Sequence, residues 1–233
     1  MGVREISTWQ TIMNGFDFSY LLGILLGVIP SLLCITLHEL SHGLVAYKLG
    51  DPTAKLAGRL TLNPLKHLDP MGMLMMLVFH VGWAKPVPVN MNRFCNPKRG
   101  MALTALAGPA SNLIIAAVFL FLYGLCYSPL RGNATGRYFL QMIELTATIS
   151  IGLAVFNLLP IPPLDGSKIL FSFLSDERYR WLMRYERFGF AILAVLLFIG
   201  LLDGPLELLR SGVLDAIAAA ARPLAGLITG VRL

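Results

Sequence analysis

From residue 18 to residue 37 the chain runs for twenty residues without a charge. At 1.5 Å per residue that length matches the hydrocarbon core of a bilayer. The pattern predicts a first spanning helix over 18–49, kinked at Pro30 and ended by the turn signal Gly50-Asp51-Pro52. Residues 1–17 are mixed and read as a surface segment, and 53–70 are polar and read as short strands and turns. The apolar run at 71–83 has only 13 residues, which favours a re-entrant segment over a full span. In the stretch that follows, Pro86 and Pro88 cannot sit in a central strand, so 84–90 reads as an extended edge or hairpin. A second span is expected over 101–127 and a third over 138–159, separated by a polar loop at 128–137. Pro160, Pro162 and Pro163 then force extended chain. Residues 168–187 are charge-rich and read as an amphipathic surface segment; 188–202 is a short fourth span, and 204–233 is a surface helix or a weak fifth one. The fold class expected is an all-α polytopic membrane protein with about 4–5 transmembrane helices and a small membrane-associated β-hairpin or re-entrant segment. It forms a single domain over 1–233, with its core at 18–175 and C-terminal helices at 176–233.

Composition supports a bilayer as solvent. Of 233 residues, 56% are hydrophobic and 14% charged, with mean hydropathy +0.69; a soluble domain carries about 25% charged residues. The net charge of +6 and pI of 9.4 are better explained by positive cytoplasmic loops than by nucleic acid. Eight Lys and Arg lie between 48 and 100 and five between 161 and 187, against two between 128 and 137. That asymmetry puts the first two regions in the cytoplasm and the N-terminus outside. The first apolar run is too long for the h-region of a signal peptide and has no A-x-A site after it. Cys34, Cys95 and Cys126 are odd in number and show no C-x-x-C spacing, so neither a disulfide framework nor a Cys-based zinc site is implied.

The end of the first span carries the chemistry. His38, Glu39 and His42 spell H-E-x-x-H. A helix stacks positions i and i+4 on one face, so two imidazoles can share one zinc ion with Glu39 beside it as base. Polar side chains at the edge of a membrane helix are costly and read as functional. A catalytic zinc takes a third protein ligand and keeps an open position for water. The candidates are His67, His80, Glu144, Asp69, Asp17 and Asp165. Asp165 is preferred, because it follows an apolar span on the same side as His38 and is presented from extended backbone. Such backbone at membrane depth belongs beside a wet cavity. A plain helix N-cap before G-S-K-I-L-F is the competing role for Asp165, and a solvated loop histidine is the ordinary reading of His67.

With H-E-L-S-H at 38–42 and N-x-x-P-x-x-x-L-D-G at 157–166, the sequence resembles the site-2 protease family of intramembrane zinc metalloproteases, in its short bacterial form. T-L-N-P-L-K-H-L-D-P-M-G (61–72), G-W-A-K-P-V-P-V-N (82–90) and A-G-P-A-S-N (107–112) extend the likeness over residues 18–175. The resemblance implies one Zn2+ held by His38, His42 and Asp165, with Glu39 as catalytic acid/base. It implies that Asn157 holds the substrate backbone or the transition state, that Asn112 lies near the site, and that Lys85, Pro86 and Val87 form an edge that pairs with an extended substrate. It further implies hydrolysis of peptide bonds in or near transmembrane segments of single-span membrane proteins, in regulated intramembrane proteolysis. The active site would lie near the cytoplasmic face of the cell membrane. No stretch is available for a PDZ or CBS domain. The alternative is a membrane metal-ion carrier, which would use the same ligands but give Glu39 no special role. A proteolytically dead scaffold would have no reason to keep Glu39, and a soluble thermolysin-like protease is excluded by composition.

Overall fold

The computed structural model describes residues 18–73 and 84–229. Helix α1 (Phe18–Lys48) contains Pro30, which is fully buried. Its Ser31 and Ser41 hydroxyls donate to Gly27 O at 2.8 Å and Leu37 O at 2.7 Å. Polar groups in hydrocarbon must be satisfied internally, and these are satisfied within the helix itself. Helix α2 (Thr53–Leu56) is a single turn closed by Gly58, whose φ of +64° lies in the left-handed region that glycine adopts without cost. A 3₁₀ turn follows at Pro64–Lys66, capped by Asn63, whose side chain accepts from Leu65 N–H. Helix α3 (Pro97–Leu130) starts with Pro97 behind the N-cap Asn96, and α4 (Ala134–Asn157) starts behind the N-cap Asn133. The turn joining them is tight: a Cβ on Gly136 would lie 2.0 Å from Leu130 O. Helices α5 (Asp165–Phe171), α6 (Asp176–Phe198) and α7 (Asp203–Thr229) complete the described chain.

The bundle centres on α3, which packs on α4, α1, α7 and α5. Small residues line these interfaces: Ala105, Gly108, Ala116, Ala147, Ser150 and Ala154 are buried. Lipid tails are as apolar as leucine, so membrane helices associate by close backbone approach and interhelical hydrogen bonds. Both occur here. Ser150 Oγ donates to Asn112 O at 2.8 Å, joining α4 to α3, and Cys34 Sγ lies 3.6 Å from Thr146 O, joining α1 to α4.

Three helices are long and apolar enough to cross a membrane: Leu26–Lys48, Pro97–Leu130 and Ala134–Asn157. The expected fourth span and the tail are two helices, Phe188–Phe198 and Asp203–Ala220, bent by 89° at the break. Gly200 sits at that break with φ +70°. A pair bent in this way is a broken span or a re-entrant loop, so the count among the described residues is three, or four if the pair is one span. The charge-rich stretch expected over 168–187 falls on α5, the turn after it and the first half of α6, and α6 runs on from it without a break into the apolar run.

Among the described residues the β-pairing around 84–90 is a single antiparallel bridge, Leu68 to Ala84, with Lys85 N–H donating to His67 O at 2.9 Å. Pro86 and Pro88 have no N–H with which to extend a ladder. The expected re-entrant segment and His80 fall largely on residues 74–83, outside the described residues.

The 84–90 strap is held at its far end by Asp51. This buried carboxylate accepts from Asn90 N–H at 2.6 Å, from Thr53 N–H at 3.0 Å and from the Thr53 hydroxyl, with Arg93 Nε at 3.9 Å. Burial pushes the Asp51 pKa up, but the donors from Thr53 and Asn90 and the Arg93 charge outweigh it and hold the group below the usual carboxylate range. A depressed folded pKa stabilises the fold fully above the unfolded value of about 3.9, and that contribution is lost as pH falls below it. Asp51→Ala is expected to cost about 1–3 kcal/mol, because it strands buried donors. It should also flatten the fall in melting temperature on acidification below about pH 4. Thermal unfolding in detergent between pH 3 and 6 checks this, and an unchanged acid limb would refute the assignment.

Candidate metal centre

One turn of α1 separates His38 from His42. Their rings meet edge to face at 88°, with centroids 4.6 Å apart and Nε2 atoms 3.0 Å apart. Asp165 Oδ2 completes the group, 3.3 Å from His38 Nε2 and 3.1 Å from His42 Nε2. The residues are 6%, 8% and 8% exposed. Ligand atoms at tetrahedral angles, about 2.0–2.1 Å from a common zinc, lie about 3.3–3.4 Å apart. The observed separations are close to that.

The tautomers sharpen the argument. His42 Nδ1 lies 2.7 Å from Thr104 O, a carbonyl that can only accept, so Nδ1 carries the hydrogen and a neutral ring keeps its lone pair on Nε2. His38 Nδ1 lies 3.2 Å from Asn112 Nδ2, while Asn112 Oδ1 is buried with no hydrogen-bond partner among the described residues. Turning the amide over satisfies that oxygen: Oδ1 then accepts from His38 Nδ1, which carries the hydrogen and leaves the lone pair on Nε2. Two imidazole lone pairs and a carboxylate oxygen then converge in a buried space with no hydrogen between them. Such a set is repulsive until a cation sits among it, and two nitrogens with one carboxylate oxygen is a zinc-type donor set. Among the described residues this is the one group of His, Cys, Asp and Glu close enough to hold a metal ion.

Local structure explains why these three residues meet. Thr104, Gly108 and Asn112 repeat at i, i+4, i+8 and so form one stripe of α3. The stripe offers a carbonyl to one ring, an amide to the other, and no side chain between them. Asp165 reaches the rings from the first turn of α5. That helix has Leu164 at its N-cap and no side-chain cap bond, so the carboxylate faces the imidazoles instead of capping. Its neighbour Gly166 lets α5 start against the end of α4: a Cβ there would be 2.1 Å from Leu158 O. Lys168 Nζ stands 3.9 Å from Asp165 Oδ1.

Glu39 is half-buried, and its Oε2 accepts Val87 N–H at 2.9 Å. Oε1 has no partner among the described residues. Asn157 ends α4 half-buried and donates through Nδ2 to Leu153 O at 2.9 Å. Asn112, expected only to be near the site, is fully buried against His38. Lys85 and Pro86 are exposed, whereas the Val87 side chain is buried.

Of the other third-ligand candidates, those among the described residues, His67, Asp69 and Glu144, do not join the pair. His67 is not a solvated loop residue: it is fully buried, with Nε2 2.9 Å from Thr61 O. Asp69 accepts from the Met71 and Gly72 N–H groups. Asp17 and His80 lie outside the described residues. Sequence reasoning missed Thr104 because its contribution is a backbone carbonyl, which no residue type announces.

The sequence model of peptidase family M50 matches residues 128–201, a stretch that includes Asn157 and Asp165. A Bacillus subtilis protein, YwhC, is 42% identical over 173 residues, covering 72% of this chain and 78% of its own. The Mycolicibacterium smegmatis protein Rip2 is 34% identical over 184 residues, 77% of this chain and 69% of its own. Zinc metalloprotease MJ0392 of Methanocaldococcus jannaschii is 29% identical over 196 residues, 83% of this chain and 46% of its own. No solved structure gives a significant match. A 42% likeness spanning most of both chains, joined to the family match at the aspartate end of the site, decides the matter: the chain belongs to peptidase family M50, the site-2 protease family of membrane zinc metallopeptidases.

Proposed function

We propose that this zinc metalloprotease cleaves peptide bonds in or near the transmembrane segments of single-span membrane proteins, with His38, His42 and Asp165 holding one Zn2+ and Glu39 as acid/base. The observation that carries the reading is the convergence of His38 Nε2, His42 Nε2 and Asp165 Oδ2 at 3.0–3.3 Å inside a bundle of apolar helices, beside a carboxylate with one oxygen unpartnered. Zinc bound there supplies a Lewis acid for the scissile carbonyl and brings the pKa of a coordinated water towards about 7. Val87 N–H holds Glu39 Oε2, leaving Oε1 to accept a proton and hand it to the departing amine. Asn112 and Thr104 keep the rings in the tautomer that points both Nε2 atoms inward. Asn157, at the end of α4, donates to the developing oxyanion once its amide turns from Leu153 O.

The strap 84–90 receives the substrate. Its Lys85, Val87 and Asn90 N–H groups are already engaged, and Pro86 and Pro88 have none. It therefore offers mainly carbonyls, and an unwound substrate would donate N–H groups to it. Four spans in one domain over 1–233, with the N-terminus outside and the site near the cytoplasmic face, follow from the loop charges and the bent pair. A metal-ion carrier would leave the Glu39–Val87 bond without a purpose.

Zinc content measured alongside cleavage of a panel of single-span reporters tests the reading. Asp165→Ala is expected to weaken zinc binding beyond the roughly 10- to 100-fold typical of losing an outer-shell partner. Wild-type stoichiometry and affinity in that variant would remove Asp165 from the ligand set.

A further inference from the structure

Arg59 is 6% exposed, yet among the described residues no carboxylate lies in ion-pair range of it. A buried guanidinium without a counter-charge is expensive, so its hydrogen bonds must offset the cost. They go to backbone: Nη2 donates to Lys85 O at 2.6 Å and Nη1 to Pro86 O at 3.2 Å, while Nε has no partner. These carbonyls belong to the two residues before Val87, whose N–H is bonded to Glu39 Oε2 at 2.9 Å. The next residue, Pro88, and the preceding one, Pro86, cannot donate. A slide of the strap by one residue in either direction therefore offers Glu39 a proline instead of a donor. The contact is all-or-none in register.

We infer that Arg59 is a positioning residue for catalysis: it fixes the register of 85–87 so that Val87 N–H orients the Glu39 carboxylate. The inference rests on the reading of Glu39 as acid/base. Three other anchors share the task of holding the strap: His67 O on Lys85 N–H, Asp51 on Asn90 N–H, and the Leu68–Ala84 bridge. Among these anchors Arg59 is the one that grips Pro86, the residue immediately before the critical donor, as well as Lys85. Its fork suits two carbonyls at once, which a lysine ammonium does not reproduce. Gly58, in its left-handed conformation, turns the chain out of α2 so that Arg59 N–H bonds Ala54 O at 2.9 Å and the side chain is directed under the strap.

The test uses the full chain in proteoliposomes, with zinc content, kcat and KM for one single-span reporter. Arg59→Ala and Val87→Pro, which deletes the donor itself, are each expected to lower kcat about 10- to 100-fold with zinc stoichiometry unchanged. Because both act through one hydrogen bond, the double variant should be no slower than the worse single. Arg59→Lys should fall between wild type and Arg59→Ala. Wild-type kcat in either single variant, a loss confined to KM, or losses that multiply in the double variant would overturn the positioning role. If Arg59→Ala does not fold, Val87→Pro and Arg59→Lys decide by the same criteria. A Glu39→Gln chain with wild-type activity would sink the acid/base reading itself. A dead Glu39→Gln chain beside a fully active Arg59→Ala chain would sink only the inference about Arg59.

Discussion

Glu39→Gln is expected to keep one zinc per chain while cutting kcat by about 10²- to 10⁴-fold or more, the range that a positioned acid/base contributes. The substitution is nearly isosteric. A glutamine Oε1 can still accept Val87 N–H, so the tie between α1 and the strap survives. What disappears is a group that takes up a proton and releases it within one turnover. The ligand cluster is untouched, since Glu39 contributes no atom to it. Glu39→Asp makes the complementary case: it keeps the charge but shortens the reach, so it should lose the Val87 contact and retain partial activity. Metal analysis and reporter cleavage on the same preparation separate these outcomes. Cleavage by Glu39→Gln at the wild-type rate, with zinc in place, would remove Glu39 from the chemistry.

The meeting of His38, His42 and Asp165 was more legible in the sequence than the fold around it, and the reason is physical. An i, i+4 pair of histidines on a helix needs only the 3.6-residue repeat to become a site, and α1 supplies that repeat from local composition. The partner aspartate was legible through its prolines, because helix-breaking residues beside an apolar run are tolerated only where they serve a cavity. The described chain on either side of 74–83, at 53–73 and 84–90, was harder to read. It was expected to contain strands and a hairpin, and its polar, Gly- and Pro-rich character fits both irregular turns and short strands. What decides its shape is a set of long-range contacts: Asp51 with Asn90, Arg59 with Lys85 and Pro86, and Glu39 with Val87. Each pairs a side chain with a backbone group far away in sequence, and periodicity carries no information about such pairs. The bend that follows the expected fourth span was not legible for a related reason. Hydropathy measures length and apolar content, whereas the 89° bend between α6 and α7 depends on one glycine turning the chain.

Gly108→Ala should remove zinc although it adds only one methyl and touches no ligand atom covalently. In most helix interiors the change would help, since glycine costs roughly 0.5–1 kcal/mol relative to alanine. Here the new Cβ would stand 2.4 Å from His42 Nε2, 2.5 Å from His42 Cε1 and 2.6 Å from His38 Cε1. Comfortable contact begins at about 3.5 Å, so both rings would have to move by about 1 Å. Neither can do so freely. His42 is held by the Thr104 carbonyl and His38 by the Asn112 amide, and both partners lie on α3, the helix that carries the intruding methyl. Moving the rings away from the methyl stretches the bonds that set their tautomers; moving α3 away opens interfaces built from alanine and serine. Zinc affinity is therefore expected to fall by at least about 10- to 100-fold, the cost of losing outer-shell support, with activity falling alongside it. Gly152→Ala is the control. It lies on α4, where a Cβ meets nothing within 4 Å, so it should bind zinc normally and melt no lower than wild type. Zinc titration and thermal unfolding of the two variants side by side make the comparison. Equal zinc affinity in Gly108→Ala and Gly152→Ala would mean that the imidazoles do not lie against α3, and the tautomer argument for the site would fall with it.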